Sequence, residues 1–379
     1  MKIFIIFGTR PEVIKLFPVI RELRKYKNVS VKICATAQHR EMLDQFLKFF
    51  NIEPDYDLNI MEKNQTPSYV SSQVFLKLEP ILRKEKPDYI VIEGDTTTVA
   101  ASALCAFYNK IKVAHVEAGL RTYDKWQPFP EEINRRVVTT VADLHFAPTK
   151  RAKENLLKEG VDEKKIYVTG NPVVDSLLYI ANLDFNSFDF DLKKLNLSLE
   201  SNTKKLILVT AHRRENFGEP LKNICYSLKT ITEIYKDKIW IVYPVHLNPN
   251  VWESVHEILS GIENIKLIPP VDYFSLIYLL KNSYFVMTDS GGIQEEAPSF
   301  GKPVLVLRDV TERPEGIEAG VAKLVGTQKE RIVNEAIKLI EDEKEYNKMA
   351  KAINPYGDGK AGERIARILA STSGVEIGF

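Results

Sequence analysis

Short apolar runs alternate with segments of helical period along most of the chain. Runs of this length are typical of strands buried on both faces of a parallel sheet. After the first run, Val13, Phe17, Ile20 and Leu23 lie on one face of a predicted helix, with Pro11 in its first turn. The predicted strands are Ile3–Phe7, Val29–Ala35, Tyr89–Ile92, Val113–Val116, Leu144–Ala147 and Ile166–Val168, then Leu206–Val209, Ile239–Val245, Ile265–Ile268, Tyr284–Met287 and Val304–Leu307.

The two series of strands predict two domains. They are separated by the polar stretch 182–204, which lacks a clear period, and 379 residues exceed one typical core. We predict a first domain over residues 1–172, a second over 173–358, and a C-terminal helix within 359–379 that packs back on the first domain. The fold class is α/β, with two doubly wound parallel-sheet domains and a cleft between them.

Composition and charge exclude several classes of protein. A formal net charge of +1 favours neither nucleic acid nor a membrane surface as a partner. Cys34, Cys105 and Cys225 lie far apart without zinc-site spacing, so we expect reduced core thiols and no metal site. The apolar run Ile3–Phe7 is too short for a signal peptide, and a cytoplasmic protein is expected.

Polar residues follow three predicted strands of the first domain. They lie in the stretches 8–15 (GTRPEVIK), 93–98 (EGDTTT) and 117–121 (EAGLR). Ligands of open parallel sheets bind beyond the carboxyl ends of the strands, where these side chains converge. Individually, Asp95 could cap the next helix and Arg10 could be solvated, but several charged strand ends in one sheet favour a site.

The second domain has a candidate phosphate site. The stretch 288–296 (TDSGGIQEE) follows a strand and opens a helix, and its small residues let backbone N–H groups approach a phosphate, although a tight turn needs the same glycines. The stretch 308–315 (RDVTERPE) adds guanidinium groups. Neither G-x-G-x-x-G after the first strand nor a P-loop occurs, so neither a dinucleotide nor a Walker-type site is supported.

Eleven motifs together resemble the non-hydrolysing UDP-N-acetylglucosamine 2-epimerases over nearly the whole chain. They are GTRPEVIK, EGDTTT, HVEAGLRT, PFPEEINRR, HFAPT, TGNPVVD, TAHRREN, YPVHLNPN, TDSGGIQEEAPSFGKPVLVLRD, TERPEG and NPYGDG. The resemblance implies two Rossmann-like domains of the GT-B type, no NAD, no obligate metal and a homodimer. It implies interconversion of UDP-GlcNAc and UDP-ManNAc by elimination of UDP, through 2-acetamidoglucal, and re-addition, supplying ManNAc for surface polysaccharide or glycoprotein glycan.

The resemblance also implies roles for individual residues. Matching motifs make Asp95, Glu117, Glu131 and His212 the catalytic candidates, with Asp95 and Glu131 first for the carbon 2 proton. The expected substrate-binding residues are Arg10, Lys15, Asp95, Glu117, His212, Ser290, Gly291, Gly292, Glu296 and Arg313. A second, activating UDP-GlcNAc would contact Gln38, Gln65, Arg213 and His246.

The chain departs from the family pattern at a few positions. Glu93 stands where the family commonly has His, and Val271 and Leu276 stand where Gln and Phe are usual beside the uracil. Glu41 and Asn64 replace the usual Gln and Arg of the activating site. We therefore expect a differently built uracil pocket and treat activation as one possibility.

Three alternatives remain open from the sequence. A hydrolysing 2-epimerase, which releases UDP and ManNAc, would share the second sheet and the diphosphate site. A GT-B glycosyltransferase is disfavoured because no acceptor-binding extension is evident. A non-catalytic UDP-sugar sensor would have no need of Asp95, Glu117 and Glu131.

Overall fold

The chain forms two compact units, seen in a computed structural model that describes residues 1–185 and 204–372. The first unit comprises Met1–Ser176 and Tyr356–Phe379, and the second comprises Leu177–Pro355. None of the helices in the two described ranges combines the length and the hydropathy needed to span a membrane.

The described residues of the first unit contain a seven-stranded parallel sheet. Its strands are β1 Lys2–Phe7, β2 Ser30–Ala35, β3 Tyr56–Asp57, β4 Tyr89–Glu93, β5 Lys112–Val116, β6 Leu144–Ala147 and β7 Ile166–Val168, in the order β3-β2-β1-β4-β5-β6-β7. The helices that follow these strands are α1 Arg10–Leu23, α2 Arg40–Phe49, α3 Pro67–Glu85, α4 Thr97–Tyr108, α5 Glu131–Val141, α6 Lys150–Lys158 and α7 Pro172–Ala181. This is a doubly wound α/β sheet, as predicted.

The described part of the second unit contains a six-stranded parallel sheet. Its strands are β8 Lys205–Thr210, β9 Ile239–Pro244, β10 Ile265–Ile268, β11 Phe285–Thr288, β12 Val304–Val306 and β13 Ala322–Leu324, in the order β10-β9-β8-β11-β12-β13. Its helices are α8 Glu219–Ile234, α9 Pro249–Leu259, α10 Tyr273–Asn282, α11 Gly291–Glu296, α12 Pro314–Glu318, α13 Lys329–Glu341 and α14 Glu343–Ala350.

Alternate residues of β8 explain why the apolar runs are continuous. Ile207 and Val209 pack in one hydrophobic cluster, whereas Leu206 and Leu208 pack in another. Both faces of the sheet are therefore covered, and each strand position is apolar. In the first unit β1 is likewise buried from Ile3 onward.

The last helix, α15 Ala361–Ser371, packs against α1. Gly362 permits this close approach, because a Cβ there would lie 2.7 Å from the Cβ of Pro18. Asp175 accepts hydrogen bonds from the backbone N–H groups of Ala361 (3.2 Å) and Gly362 (2.8 Å) at the start of α15. The sequence predicted a helix in this region; its residues 373–379 lie outside the described part of the chain.

Each predicted strand is present, within one or two residues at its ends. The sequence missed two edge strands, β3 and β13. β3 has only two residues, Tyr56 and Asp57, and joins the sheet through pairing with Cys34 and Ala35. Strands of two or three residues are too short to carry a periodic apolar signal. They are recognised only by their pairing with the adjacent strand.

The strand order reverses once in each sheet. In the first sheet the reversal lies between β1 and β4, and in the second between β8 and β11. The loops after these strands diverge to opposite faces, which leaves a crevice where ligands of such sheets bind. The polar motifs of the sequence follow these very strands.

Candidate functional site

A lysine and two glutamates form a buried cluster at the strand ends of the first unit. Lys15 Nζ lies 2.9 Å from Oε1 of Glu93, the last residue of β4, and donates to Oε2 of Glu117, which follows β5. The exposed fractions of the three side chains are 19% for Lys15, 2% for Glu93 and 6% for Glu117. The predicted residues Lys15 and Glu117 thus meet, and Glu93 joins them.

Asp95 is held by the helix that carries Glu131. Oδ2 of Asp95 accepts from Nε of Arg135 at 2.8 Å, and Asn134 Nδ2 donates to the Asp95 carbonyl at 2.9 Å. The residue that caps α4 is Thr96, whose side chain accepts from the Val99 N–H at 3.3 Å. The Asp95 carboxylate instead forms an ion pair with Arg135.

Glu131 is the first residue of α5. Arg135 lies one turn later on the same face, so Glu131 and the Asp95 ion pair share one helix surface. Oε2 of Glu131 is buried, and within residues 1–185 and 204–372 it has no hydrogen-bond partner. A buried carboxylate oxygen without a partner is costly, which is typical of a group placed for a ligand.

Glu12 joins the loop after β1 to the loop after β4. Its carboxyl group accepts from the N–H of Gly8 (2.5 Å), from the hydroxyl of Thr9 (3.1 Å) and from the hydroxyl of Thr96 (2.7 Å). Complete burial raises the pKa of Glu12 to about 7, and these hydrogen bonds oppose the rise. Glu12 belongs to the motif GTRPEVIK, but nothing in that motif indicates that its side chain turns back on its own loop.

Glu132 holds the loop that leads into α5. Its buried carboxylate accepts from the N–H groups of Thr122 (3.0 Å) and Tyr123 (3.1 Å) and from Arg135 Nη1 at 3.3 Å. The Arg135 that holds Asp95 is therefore itself held by Glu132. Sequence reasoning selected Glu131 and missed the adjacent Glu132, because adjacent carboxylates at a helix start are indistinguishable without the fold.

His115 supports the turn between Glu93 and Asp95. Its Nε2 lies 2.7 Å from the Gly94 carbonyl, and burial lowers the pKa of His115 to about 4. If the neutral ring donates from Nε2, Nδ1 carries no proton. This Nδ1 atom has no hydrogen-bond partner among the described residues.

In the second unit, Asp289 organises the loop after β8. Its buried Oδ2 accepts from the backbone N–H groups of His212 and Arg213, both at 2.8 Å, and from Asn216 Nδ2 at 3.0 Å. Asp289 follows β11, so this one carboxylate ties together the two strand ends at the reversal of the second sheet. The sequence placed Asp289 in the phosphate motif but missed this function.

His212 lies beside the expected activator-site residue His246. The two rings stack with their centroids 5.5 Å apart, and His212 Nδ1 is 3.8 Å from Oδ1 of Asp289, too far for a hydrogen bond. Burial lowers the pKa of His212, the Asp289 charge opposes this, and His246 and Arg213 lower it further. A neutral imidazole at pH 7 can still donate one N–H to an anion.

Arginine and glutamate side chains surround Gly291. Glu312 pairs with Arg308 at 2.5 Å and with Arg213 at 3.5 Å. A Cβ on Gly291 would lie 3.2 Å from Oε1 of Glu312, so a side chain at this position would crowd the ion pair between Glu312 and Arg213. Ser290 precedes α11 as its N-cap residue without a side-chain cap bond, and Gly292 follows Gly291 in the first turn.

Two predicted binding residues of the second unit already have partners. Glu296 accepts from the Tyr273 hydroxyl at 3.0 Å, and Arg313 forms an ion pair with Glu295 through Nε. Glu295 and Glu296 are buried. A ligand would therefore meet an Arg313 guanidinium group that already pairs with Glu295 and donates from Nη1 to the Glu312 carbonyl at 3.3 Å.

The remaining predicted residues lie in the first unit; they are Gln38, Gln65 and Arg10. Gln65 Nε2 donates to the Gln38 carbonyl at 2.8 Å, and Gln38 Oε1 accepts from the Thr98 hydroxyl at 2.7 Å, so these two lie together in the first unit. Arg10 begins α1 with an exposed side chain that no hydrogen bond or ion pair holds within the described residues. Nowhere in the described ranges do three His, Cys, Asp or Glu side chains gather as metal ligands do.

Known proteins resemble the chain over its whole length. The profile of the family described as "UDP-N-acetylglucosamine 2-epimerase" matches residues 21–370. The UDP-N-acetylglucosamine 2-epimerase of Campylobacter jejuni is 52% identical over 372 residues, which cover 97% of each chain. That of Escherichia coli K12 is 50% identical over 375 residues, covering 97% of this chain and 98% of the relative.

A solved structure shows the same fold. The UDP-GlcNAc 2-epimerase from Neisseria meningitidis, bound to UDP-GlcNAc, superposes with a TM-score of 0.82 at 46% identity, covering 98% of this chain and 100% of that one. Its two-sheet architecture is of the GT-B type, which confirms the predicted fold class. The sequence match, the fold and the polar strand ends agree, and the chain belongs to the UDP-N-acetylglucosamine 2-epimerase family.

Proposed function

We propose that the protein converts UDP-GlcNAc into UDP-ManNAc without a cofactor, by elimination of UDP and its re-addition. The observation that carries this proposal is the set of buried carboxylates at the strand ends of the first unit, supported by the family membership. Glu117 is held by Lys15, and Asp95 by Arg135, so both are fixed in place for proton transfer.

The reaction needs groups that move a proton at carbon 2 and hold a leaving diphosphate. A base removes the carbon 2 proton, the C–H electron pair forms the C1–C2 double bond, and the C1–O bond breaks with its electrons passing to UDP. The product pair is 2-acetamidoglucal and UDP. Delivery of a proton to the opposite face of carbon 2, with addition of UDP oxygen to carbon 1, gives the epimer. The reaction involves no net oxidation, so we expect no NAD to be required, and the family resemblance implies no obligate metal.

In this proposal the first unit acts on the sugar. Asp95 and Glu131 exchange the carbon 2 proton from its two faces, and Glu117 lies beside the ring with Lys15 as its counter-ion. The partnerless Oε2 of Glu131 and the fixed Asp95 carboxylate support these roles. Carboxylates that are already oriented need no reorganisation as the proton moves.

The second unit holds UDP in this proposal. Neutral His212 donates to the leaving phosphate oxygen, and Asp289 orients the loop that carries it. Ser290, Gly291 and Gly292 contact the phosphates, Glu296 the ribose hydroxyls, and Arg313 the phosphate. Arg10, exposed at the start of α1, adds a further contact to the diphosphate or the sugar.

Positional isotope exchange tests the broken bond. UDP-GlcNAc with ¹⁸O between carbon 1 and the β-phosphorus is incubated with the protein, and ³¹P NMR follows the label. Reversible C1–O cleavage moves ¹⁸O into the non-bridging β-phosphate positions at a rate comparable with epimerisation. Epimerisation with the label fixed in the bridge would contradict elimination.

The same samples distinguish the alternatives. Free ManNAc and UDP that accumulate one for one would indicate the hydrolysing reaction. Recovery of unchanged UDP-GlcNAc until an acceptor sugar is added would indicate a glycosyltransferase. Each of these results replaces the proposed function rather than refining it.

Activation and assembly are further parts of the proposal. Gln38, Gln65, Arg213 and His246 would contact a second, activating UDP-GlcNAc. Under this proposal the reverse reaction from pure UDP-ManNAc starts with a lag that a trace of UDP-GlcNAc abolishes, and a linear start would contradict activation. We also propose a homodimer, which light scattering tests through the molar mass, and a product used for ManNAc-containing glycans.

A further inference from the structure

The cluster of Lys15, Glu93 and Glu117 holds two carboxyl groups and a single ammonium group. All three side chains are largely buried, and Glu93 is the most buried of them. If both glutamates were ionised, two negative charges would lie against one ammonium group in a poorly solvated place. A buried like-charge pair avoids this by keeping one proton.

The contacts assign that proton to Glu93. Lys15 donates a hydrogen bond to Glu117, whereas it meets Glu93 only as an ion pair at 2.9 Å, and Oε1 of Glu93 has no hydrogen bond among the described residues. The Glu93 and Glu117 carboxyl groups lie close enough for the charge of Glu117 to raise the pKa of Glu93. Two carboxyl groups can share a hydrogen bond only if one of them supplies an O–H.

Burial has the largest effect on the pKa of Glu93. Burial raises the pKa of Glu93 well above its usual value; the Lys15 charge opposes this, and the Glu117 charge adds to the rise. Glu117 is also a non-glycine residue at φ +63°, a sterically disfavoured backbone conformation. Its side-chain partners are therefore needed to keep the carboxylate in one position.

We infer that Glu93 is a positioning residue that keeps a proton and donates it in a hydrogen bond to Glu117, leaving Lys15 and Glu117 as the ion pair. This rests on the proposed function, in which Glu117 acts beside the sugar.

The inference predicts how the rate depends on pH. Raising the pH through the pKa of Glu93 removes the shared proton, leaves the cluster with one negative charge and lets Glu117 move, so kcat falls. Further titratable or charged groups belong to the elements packed around the cluster. His115, on β5, interacts electrostatically with Glu117, Asp95 and Arg121. Glu12, on α1, accepts a hydrogen bond from Thr96, which follows β4.

Three variants test this dependence. In E93Q the amide still donates but cannot ionise, in E93L the shape is similar without a donor, and E12Q removes the neighbouring acid whose pKa is about 7. We expect wild type and E12Q to share an alkaline fall in kcat that E93Q lacks. At pH 7 we expect E93L to have a kcat roughly tenfold or more below that of E93Q, with KM little changed.

Two outcomes of the kinetics would overturn the inference. One is a pH profile that assigns the fall to another group: kcat of E93Q falls at alkaline pH as it does in wild type, or kcat of E12Q does not fall. The other is equal kcat in E93Q and E93L, which would mean that no donor at residue 93 is needed.

Infrared difference spectroscopy tests the proton without using activity. The spectrum of wild type minus E93Q at pH 7 should contain a protonated-carboxyl C=O band that shifts in deuterated water. Its absence would place no proton on Glu93 and overturn the inference. If the wild-type protein did not turn over UDP-GlcNAc, the proposed function would fail, while this band would still decide the protonation of Glu93.

Discussion

The two units fix their strand-end side chains in different ways. In the first, carboxylates pair with side-chain cations: Glu117 with Lys15, and Asp95 with Arg135. In the second, the carboxylate of Asp289 accepts hydrogen bonds from backbone N–H groups and from Asn216. The residue that it positions in this way is His212. In the proposed reaction, the first arrangement fixes acids and bases, and the second fixes a donor for an anion.

The difference follows from what each unit must do in the proposed reaction. A group that exchanges a proton with carbon needs a defined protonation state before each transfer. A nearby cation and burial control that state through the pKa of the group. A group that holds a phosphate needs donors in a fixed direction, which a rigid loop provides. Substitutions at the two anchors should therefore separate chemistry from binding.

The largest expected effect is at Asp95. Asp95→Asn keeps the volume of the side chain but removes the proton acceptor, so we expect kcat to fall by roughly a thousandfold or more. Epimerisation of UDP-GlcNAc measures this, with circular dichroism to confirm folding. The matched control is Asp88→Asn at the opposite end of β4, where Asp88 accepts from the Lys2 N–H. Wild-type turnover in Asp95→Asn would remove Asp95 from the mechanism.

The next effect is at Asp289. Asp289→Ala leaves three donors without their acceptor, so we expect a loss of roughly 3 kcal/mol in the free energy of unfolding. We also expect a fall in kcat of about a hundredfold, because the His212 loop loses its anchor. Urea unfolding and steady-state kinetics measure the two effects.

The helix cap Asp342 provides the control for this experiment. It accepts from the N–H groups of Lys344 and Glu345 at the start of α14. Asp342→Ala should cost about 1 kcal/mol of stability and leave kcat unchanged. An equal loss of kcat in both variants would mean that stability, rather than the orientation of His212, limits the rate.

The smallest effect concerns Glu12 and sharpens the account of the first unit. Its pKa is raised from 4.5 to about 7, so the folded chain binds this proton more tightly than the unfolded chain does. The contribution of Glu12 is therefore most favourable at low pH and is lost as the pH rises from about 4.5 through 7. The unfolding free energy of Glu12→Gln relative to wild type should rise by roughly 2 kcal/mol over that window.

A relative stability that stays constant between these pH values would contradict the prediction. It would mean that Glu12 titrates alike in the folded and unfolded chains, and that the pH dependence of stability arises from other buried acids. Urea unfolding at several pH values distinguishes the two cases.

The sequence predicted the fold well because the strands that contribute to the cores are predominantly apolar. It also located the strand-end motifs, because parallel sheets place them at one edge. It did not distinguish Glu131 from Glu132 or find the tasks of Glu12 and Asp289. These roles depend on which donors the folded loops bring within hydrogen-bond distance, and such pairs lie up to 84 residues apart, as Glu12 and Thr96 do.

The central claim is cofactor-free epimerisation by proton exchange at carbon 2. Proton NMR of the purified protein with UDP-GlcNAc in deuterated water, without nicotinamide, tests it most directly. The account predicts UDP-ManNAc carrying deuterium at carbon 2, with no net release of UDP. UDP-ManNAc that retains the original proton at carbon 2, or steady accumulation of free UDP and ManNAc, would contradict it.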